Sequence, residues 1–358
     1  MCIIDTNNME ISQRQLKILL IILKNGALSS SAIHAKIIEE GDKISLITIK
    51  RALSAMAASG LLVVSGSGPS ISYEVSARGR LFTPIDAEEY CIVEPDKRFG
   101  LSRYNVELFQ AVPADIFEES ESKVLNAATA EYKKRTKNIS AVVQKKELER
   151  LVIELAWKSS KIEGNTYTLL DTERLIFKNQ EAAGHDKKEA RMILNHKEAF
   201  TFIRQNLSFF CNLTRANLEK LHAVLVKDLS VDLGLRKKPV GVVGSKYQPL
   251  DNGYQIEEAV KELSKIISTQ NTPYAKALLA LVGISYIQPF EDGNKRTARL
   301  MANALLISHG LAPLSYRSVD ENEYREAMLV FYEINSLLPL KRIFIGQYEF
   351  AATNYAVK

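Results

Sequence analysis

The stretch from Gln288 to Arg299, Gln-Pro-Phe-Glu-Asp-Gly-Asn-Lys-Arg-Thr-Ala-Arg, constrains the fold of this chain more than any other. It lies between two apolar runs. Ala275 to Tyr286 predicts a helix with Leu278, Leu279, Val282 and Tyr286 on one face. Pro289 biases Gln288 away from helical backbone, so that helix ends there. A second helix is expected from Gly293 or Asn294 to Ser308, with His309-Gly310 as its stop. Arg296, Arg299, Leu300, Asn303, Ala304 and Ile307 share one face of it, and that face is apolar further along. Two arginines thus point inward at the positive end of a helix, where the macrodipole and desolvation both oppose them. An anion relieves both, and free N–H groups at Gly293 to Lys295 add donors beside a glycine that admits close approach. Asp292, just ahead, suits a divalent cation that bridges phosphate oxygens. These residue types point to a phosphate-binding loop for a nucleotide with a metal. The competing reading is a helix whose arginines pair with nearby carboxylates.

At 358 residues the chain has room for two or three domains with their own cores. A net charge of +5 permits a nucleic-acid partner without requiring one. Cys2, Cys91 and Cys211 are far apart, odd in number and without metal-ligand spacing, which fits a reducing, cytoplasmic setting. Residues 1 to 10 lack the basic-then-apolar pattern of a signal peptide, and no apolar run reaches the roughly 20 residues that span a bilayer. No membrane partner is expected.

The first eighty residues predict three helices and a hairpin. Gln15–Leu23 is apolar at helical spacing and stops at Asn25-Gly26. Ser29 to Ser31 cap a short helix over Ala32–Ile38, and Ser45 caps a third over Leu46–Ala58. Strands over Leu61–Val64 and Ile71–Val75 flank the turn Gly66-Ser67-Gly68-Pro69. This order resembles a winged helix-turn-helix. That resemblance implies that the third helix reads DNA, with Thr48, Lys50 and Arg51 as contacts, and that the hairpin is the wing. A solvated basic face, or a protein-binding winged helix, remains the alternative.

Residues 81–140 read as a connector packed on the larger domain after it, too apolar for a disordered linker. Val142–Ile162 predicts a strong helix on which Val152, Leu155, Ser159 and Glu163 form one line, closed by Gly164-Asn165. A carboxylate at the end of a core-facing stripe calls for a cation. Lys187–Gln205, Thr214–Lys227 and Ile256–Ile267 predict further helices, and Val240–Val243 a short strand. His185, His196 and His222 show no metal spacing and are given no chemistry.

With these motifs in hand, the chain resembles Fic-domain proteins, whose signature reads His-Pro-Phe-x-Asp/Glu-Gly-Asn-Gly-Arg-x-x-Arg. Pro289, Phe290, Asp292, Gly293, Asn294, Arg296 and Arg299 match it. Most members transfer AMP from ATP to a hydroxyl of a target protein. The resemblance implies that Asp292 holds magnesium, that Gly293, Asn294 and Arg296 hold phosphates, and that Arg299 takes the γ-phosphate. Ser159-Ser160-Lys161-Ile162-Glu163-Gly164 matches the family's inhibitory motif. Carried over, Glu163 pairs with Arg299, and Ser159 hydrogen-bonds to hold it. Val242, Val243, Gly244, Ser245, Lys246 and Tyr247 resemble the β-hairpin flap that clamps a target by strand addition. Tyr324 is a candidate for the adenine pocket.

Two positions depart from the pattern. Gln288 stands where the family has its catalytic histidine, and an amide cannot take the target's proton, a loss of typically about 10²–10⁴-fold. Lys295 replaces a glycine and resembles the Doc-type toxins, which transfer phosphate instead.

The expected architecture is therefore mainly α: a Fic-type helical bundle with a β-hairpin flap, preceded by a winged helix-turn-helix. The expected division is 1–80, 81–140, 141–335 with the inhibitory helix 142–164, and a C-terminal helix within 336–358. ATP and Mg²⁺ are the expected ligands. A target protein, DNA and a second copy of the chain are the expected partners. A catalytically silent nucleotide-binding protein, or a DNA-binding regulator, is the alternative function.

Overall fold

The computed structural model describes residues 11–356. The chain forms two compact units, and neither is continuous in sequence. One comprises the chain through Pro113 together with Val242–Gln248 and Glu326–Leu340. The other comprises Ala114–Gly241, Pro249–Arg325 and the chain from Lys341 onward. Both are mainly helical, and the helix Glu321–Ile334 begins in the second and continues in the first.

In the first unit, helices span Gln13–Asn25, Ser30–Glu39 and Leu46–Ala58. Each opens on a serine, Ser12, Ser29 or Ser45, whose hydroxyl accepts from a backbone N–H of the first turn. Strands Leu62–Ser65 and Ser72–Val75 then pair antiparallel, with Leu62 opposite Val75 and Ser65 opposite Ser72. Ile18, Leu19, Ile22, Ile33, Ile37, Ile49, Leu53 and Met56 form the core with Val330 and Ile334. Short helices over Ala77–Phe82 and Ala87–Ile92 follow.

No strand forms over Val240–Val243, and residues 242 to 247 form no hairpin. The segment is a turn, closed by Ser245 N–H donating to the Val242 carbonyl at 3.2 Å, with Gly244 at φ 76°. Two backbone groups at this turn are bonded to other segments. The Gly244 carbonyl accepts from Arg98 Nη1 at 2.9 Å, and Gln248 N–H donates to the Ser102 carbonyl at 2.9 Å. Val242 and Tyr247 are buried, Lys246 reaches the Arg98 carbonyl, and Val243 is left 95% exposed.

A buried polar network fixes this turn. Glu333 Oε1 accepts from Arg98 Nη1 at 3.2 Å and Ser245 Oγ at 2.7 Å, and Glu333 Oε2 accepts from Tyr90 at 2.7 Å. Arg98 also donates from Nε to the Val93 carbonyl at 2.7 Å. Tyr247 stacks on Tyr332 at 5.6 Å.

In the second unit the helices Pro273–Ile287 and Asn294–Ser308 pack against each other, and nearly every residue of both is buried. Around them lie Ala141–Ile162, Lys187–Gln205, Arg215–Leu225 and Gly253–Thr269. The helix Leu169–Lys178 has no counterpart among the elements expected from sequence. It is a ten-residue amphipathic piece capped by the Thr168 hydroxyl and closed by Asn179 in left-handed backbone. No helix among the described residues is long and apolar enough to cross a membrane.

Candidate functional site

The loop between the two central helices is set by its backbone. Gln288 caps the first helix at φ 50° and ψ 59°, left-handed backbone that a non-glycine residue holds only at a cost of about 1–2 kcal/mol. Arg236 offsets that cost. It donates Nε to the Gln288 carbonyl at 2.6 Å, its N–H to the Pro289 carbonyl at 2.9 Å, and Nη1 to the Lys238 carbonyl at 2.8 Å. Its remaining arm reaches the Leu250 carbonyl. Arg236 is 4% exposed and positions the loop by contacts that leave no periodic trace in sequence.

Inside the loop, Asn294 Oδ1 accepts from Phe290 N–H at 2.8 Å, and Asn294 Nδ2 donates to the Phe290 carbonyl at 2.8 Å. Asn294 Nδ2 also lies 3.0 Å from Gln288 Oε1. Gln288 Nε2 donates to the Ser285 carbonyl at 2.6 Å. Both ends of the Gln288 amide are therefore engaged, and neither is a base. Gly293 sits at φ 78°, and a Cβ there would meet Val226 Cγ1 at 3.1 Å. His222 stacks on Phe290 at 3.7 Å and donates Nε2–H to the Asp292 carbonyl at 3.0 Å. Burial first, then the neighbouring Arg296 charge, pull His222 down to about 4 against the backbone bond, so it is neutral at pH 7.

The arginines come next. Arg296 and Arg299 are 2% and 0% exposed. Arg296 Nη2 reaches Asp292 Oδ2 at 3.3 Å, and Asp292 itself is largely exposed. Arg299 Nη2 donates to Glu163 Oε1 and to the Ser159 carbonyl, each at 2.8 Å, and its Nε donates to Ser159 Oγ at 2.8 Å. Ser159 thus bonds to the arginine and not to the carboxylate. Lys295 Nζ lies 3.5 Å from Glu163 Oε2. Burial alone would raise the Glu163 pKa, but Arg299 and then Lys295 outweigh it and hold the group below the usual carboxylate range. Glu163 sits at the C-cap of the helix Ala141–Ile162, and Gly164 follows at φ 95°. The Tyr324 ring lies 5.6 Å from the Arg299 guanidinium carbon.

Several buried polar atoms here make no well-formed hydrogen bond, among them Arg296 Nη1, Arg299 Nη1, the Tyr324 hydroxyl, His222 Nδ1 and Thr297 Oγ1. Unsatisfied buried donors on two guanidinium groups at a helix N-terminus are costly in protein alone and suit an anion with several acceptor oxygens. The structure therefore brings together Ser159, Glu163, Gly164, Asp292, Gly293, Asn294, Lys295, Arg296, Arg299 and Tyr324, all in one unit. Thr48, Lys50, Arg51 and the turn 242–247 belong to the other unit. His196, given no chemistry by sequence spacing, is buried against Ser159 with Nε2 at 2.9 Å from the hydroxyl.

The site's residues overlap a region with known relatives. Residues 212–306 match the model of the Fic/DOC family. A protein adenylyltransferase Fic of Nematostella vectensis is 26% identical over 203 residues, covering 51% of this chain and 44% of that protein. One from Drosophila melanogaster is 28% identical over 166 residues, covering 46% and 34%. The chain thus spans less than half the length of these curated relatives. Among solved structures, a Fic domain containing signaling protein from Bacteroides thetaiotaomicron superposes with TM-score 0.55 at 20% identity, covering 64% of this chain and 94% of that one. Fic-1 from C. elegans superposes with TM-score 0.56 at 19% identity, covering 66% and 72%. The fold and the matched residues agree, and the chain carries a Fic domain.

Proposed function

We propose that this site binds Mg·ATP and belongs to a protein adenylyltransferase that is braked by Glu163 and impaired at Gln288. The observation that carries the reading is the pair of buried guanidinium groups of Arg296 and Arg299, each with one nitrogen that makes no well-formed hydrogen bond, beside the Gly293–Asn294 loop. The names of the relatives, protein adenylyltransferase Fic, favour AMP transfer over the phosphate transfer that Lys295 suggests.

Gly293 and Asn294 would offer the start of the helix Asn294–Ser308 to the phosphates, with Arg296 and Lys295 adding charge. Arg299 would take the γ-phosphate once Glu163 leaves it. Among the described residues no group of three His, Cys, Asp or Glu is placed to hold a metal ion. A magnesium ion would therefore rest on the exposed Asp292 carboxylate, with phosphate oxygens and water completing its shell, and neutralise charge on the phosphates. In AMP transfer the target hydroxyl oxygen bonds the α-phosphorus, the bond to the β-phosphate oxygen breaks, and pyrophosphate departs. The hydroxyl proton needs a base, and the Gln288 amide, hydrogen-bonded at both ends, cannot accept it.

Calorimetric titration with Mg·ATP and Mg·ADP tests the binding half of this reading. Glu163→Gly is expected to bind ATP about tenfold tighter than the parent, about 1.4 kcal/mol, and to leave ADP unchanged. A chain in which neither protein binds either nucleotide at millimolar concentration has a different ligand.

A second reading is a silent Fic protein that regulates through its first eighty residues. It is favoured by charge. Residues 11 to 80 hold nine basic and four acidic side chains, and Lys50 and Arg51 are exposed on the third helix. In that reading the three helices and hairpin act as a winged helix on DNA. Thr48 is the weakest contact, because its side chain is already tied to Ser45 Oγ at 2.9 Å. A loss of affinity for duplex DNA in Lys50→Ala/Arg51→Ala, with a reduced salt slope, is the expected outcome.

A further inference from the structure

His196 lies on the helix Lys187–Gln205, fully buried, and takes no part in the chemistry above. Its Nδ1 is 3.1 Å from the Met192 carbonyl. A carbonyl only accepts, so Nδ1 carries the proton. Nε2, 2.9 Å from Ser159 Oγ, is left with a lone pair, and the Ser159 O–H donates to it. That choice orients the hydroxyl. Its lone pairs face Arg299 Nε at 2.8 Å, so the serine oxygen accepts from the arginine. Without an acceptor at Nε2 the hydroxyl hydrogen has no such anchor, and it competes with the Arg299 N–H for the same space. Burial and the charges of Arg296 and Arg299 oppose an imidazolium here, with only Glu163 favouring it among the charged neighbours, and the ring is held down to about 3.

We infer that His196 is a positioning residue for the Arg299–Glu163 contact, acting through the direction of the Ser159 hydroxyl. The inference rests on the reading of that contact as a brake on ATP binding. Ser159 supplies two of the three acceptors around Arg299 and Glu163 the third. One of the two serine acceptors is conditional on the neutral, Nδ1-protonated form of His196. The brake is thus a chain of four side chains, His196, Ser159, Arg299 and Glu163, drawn from three helices and a helix cap.

The test compares affinities for Mg·ATP and Mg·ADP by calorimetry in the full chain. His196→Phe is expected to tighten ATP about fivefold, the worth of roughly one hydrogen bond, with ADP unchanged. His196→Gln, whose Oε1 can accept from Ser159, should stay near the parent. In a Ser159→Ala background His196→Phe should add nothing. A full fivefold gain from His196→Phe in that background, or no gain in either, overturns the proposal. A second readout needs no nucleotide. Nitrogen-15 spectra of the imidazole should show an Nδ1–H tautomer whose Nε2 resonance moves in Ser159→Ala. An Nε2–H tautomer or an imidazolium at pH 7 overturns the inference even if Glu163→Gly binds ATP as described. A correct tautomer with no ATP gain in Glu163→Gly places the failure in the reading of the brake.

Discussion

Two arginine–glutamate pairs, one in each unit and each built on a buried arginine, look alike as ion pairs and differ in completeness. Arg98 and Glu333 are 5% and 0% exposed, and both Glu333 oxygens are used, by Arg98, Ser245 and Tyr90. Arg98 spends its remaining donors on the carbonyls of Cys91, Val93 and Gly244. Arg299 and Glu163 are 0% and 19% exposed. One nitrogen on Arg299 and one on Arg296 make no well-formed hydrogen bond, and the second Glu163 oxygen has Lys295 at 3.5 Å. A buried network with every group satisfied fixes one conformation. A network that leaves donors open holds a place for something else. By this contrast Glu333 is an architectural residue and Glu163 an exchangeable one.

The contrast breaks if the two glutamates respond alike. Glu333→Ala should cost the most, about 3–5 kcal/mol by denaturant unfolding, because it strands the Arg98 charge and the Ser245 hydroxyl, while Tyr90 keeps the Phe99 carbonyl at 2.6 Å. Glu163→Ala should cost far less, about 1–2 kcal/mol, since Ser159 still accepts twice from Arg299 and Glu163 is partly exposed. Losses of equal size would remove the distinction.

Acid sharpens it next. His196 and His222 are held down to about 3 and about 4, against 6.5 for an unburied imidazole. Below pH about 6.5 the unfolded chain binds protons that the folded one refuses. Stability is therefore full above that pH and falls as pH drops toward 4, by about 1 kcal/mol per histidine between pH 6.5 and 5.5. Glu163, held below 4.5, adds a contribution that is present above pH 4.5 and lost as pH falls further through its folded value. Unfolding midpoints from pH 7.5 to 5 should show the histidine slope, and His196→Gln should flatten part of it. A flat profile in the parent would contradict neutral burial. The smallest effect is expected at Val243, the exposed tip of the turn 242–247. Val243→Ser should change stability by less than about 0.5 kcal/mol. If this turn docks the target, the same substitution lowers transfer to protein while leaving ATP binding intact.

How far the sequence reaches depends on the range of each contact. The helix Leu46–Ala58 and the start of the helix at Asn294 are written in caps, apolar spacing and a glycine, all local signals. The inward face of Arg296 and Arg299 is legible from spacing alone, because an apolar continuation of the same face tells where it points. The approach of Glu163 to Arg299, 136 residues apart, came only through a motif resemblance, since no periodicity links two helices across such a distance. Arg236, His196 and Arg98 leave no local signal at all. Each is one buried polar residue whose partners are backbone or side-chain groups brought in by folding. The strand expected at Val240–Val243 does not form. Its apolar run fits a strand, but the chain turns there instead, with Ser245 N–H donating to the Val242 carbonyl.

The central claim is that the site holds ATP for transfer, restrained by Glu163 and silenced by Gln288. Labelled transfer tests it most directly. α-³²P and γ-³²P ATP with magnesium would be incubated with the parent chain, Gln288→His, and Gln288→His/Glu163→Gly, and self-modification followed. In the double variant, α-label incorporation at least about 10²-fold above the parent is expected, with the single histidine variant in between. Robust labelling of the parent, or γ-label in place of α-label in the double variant, would contradict it.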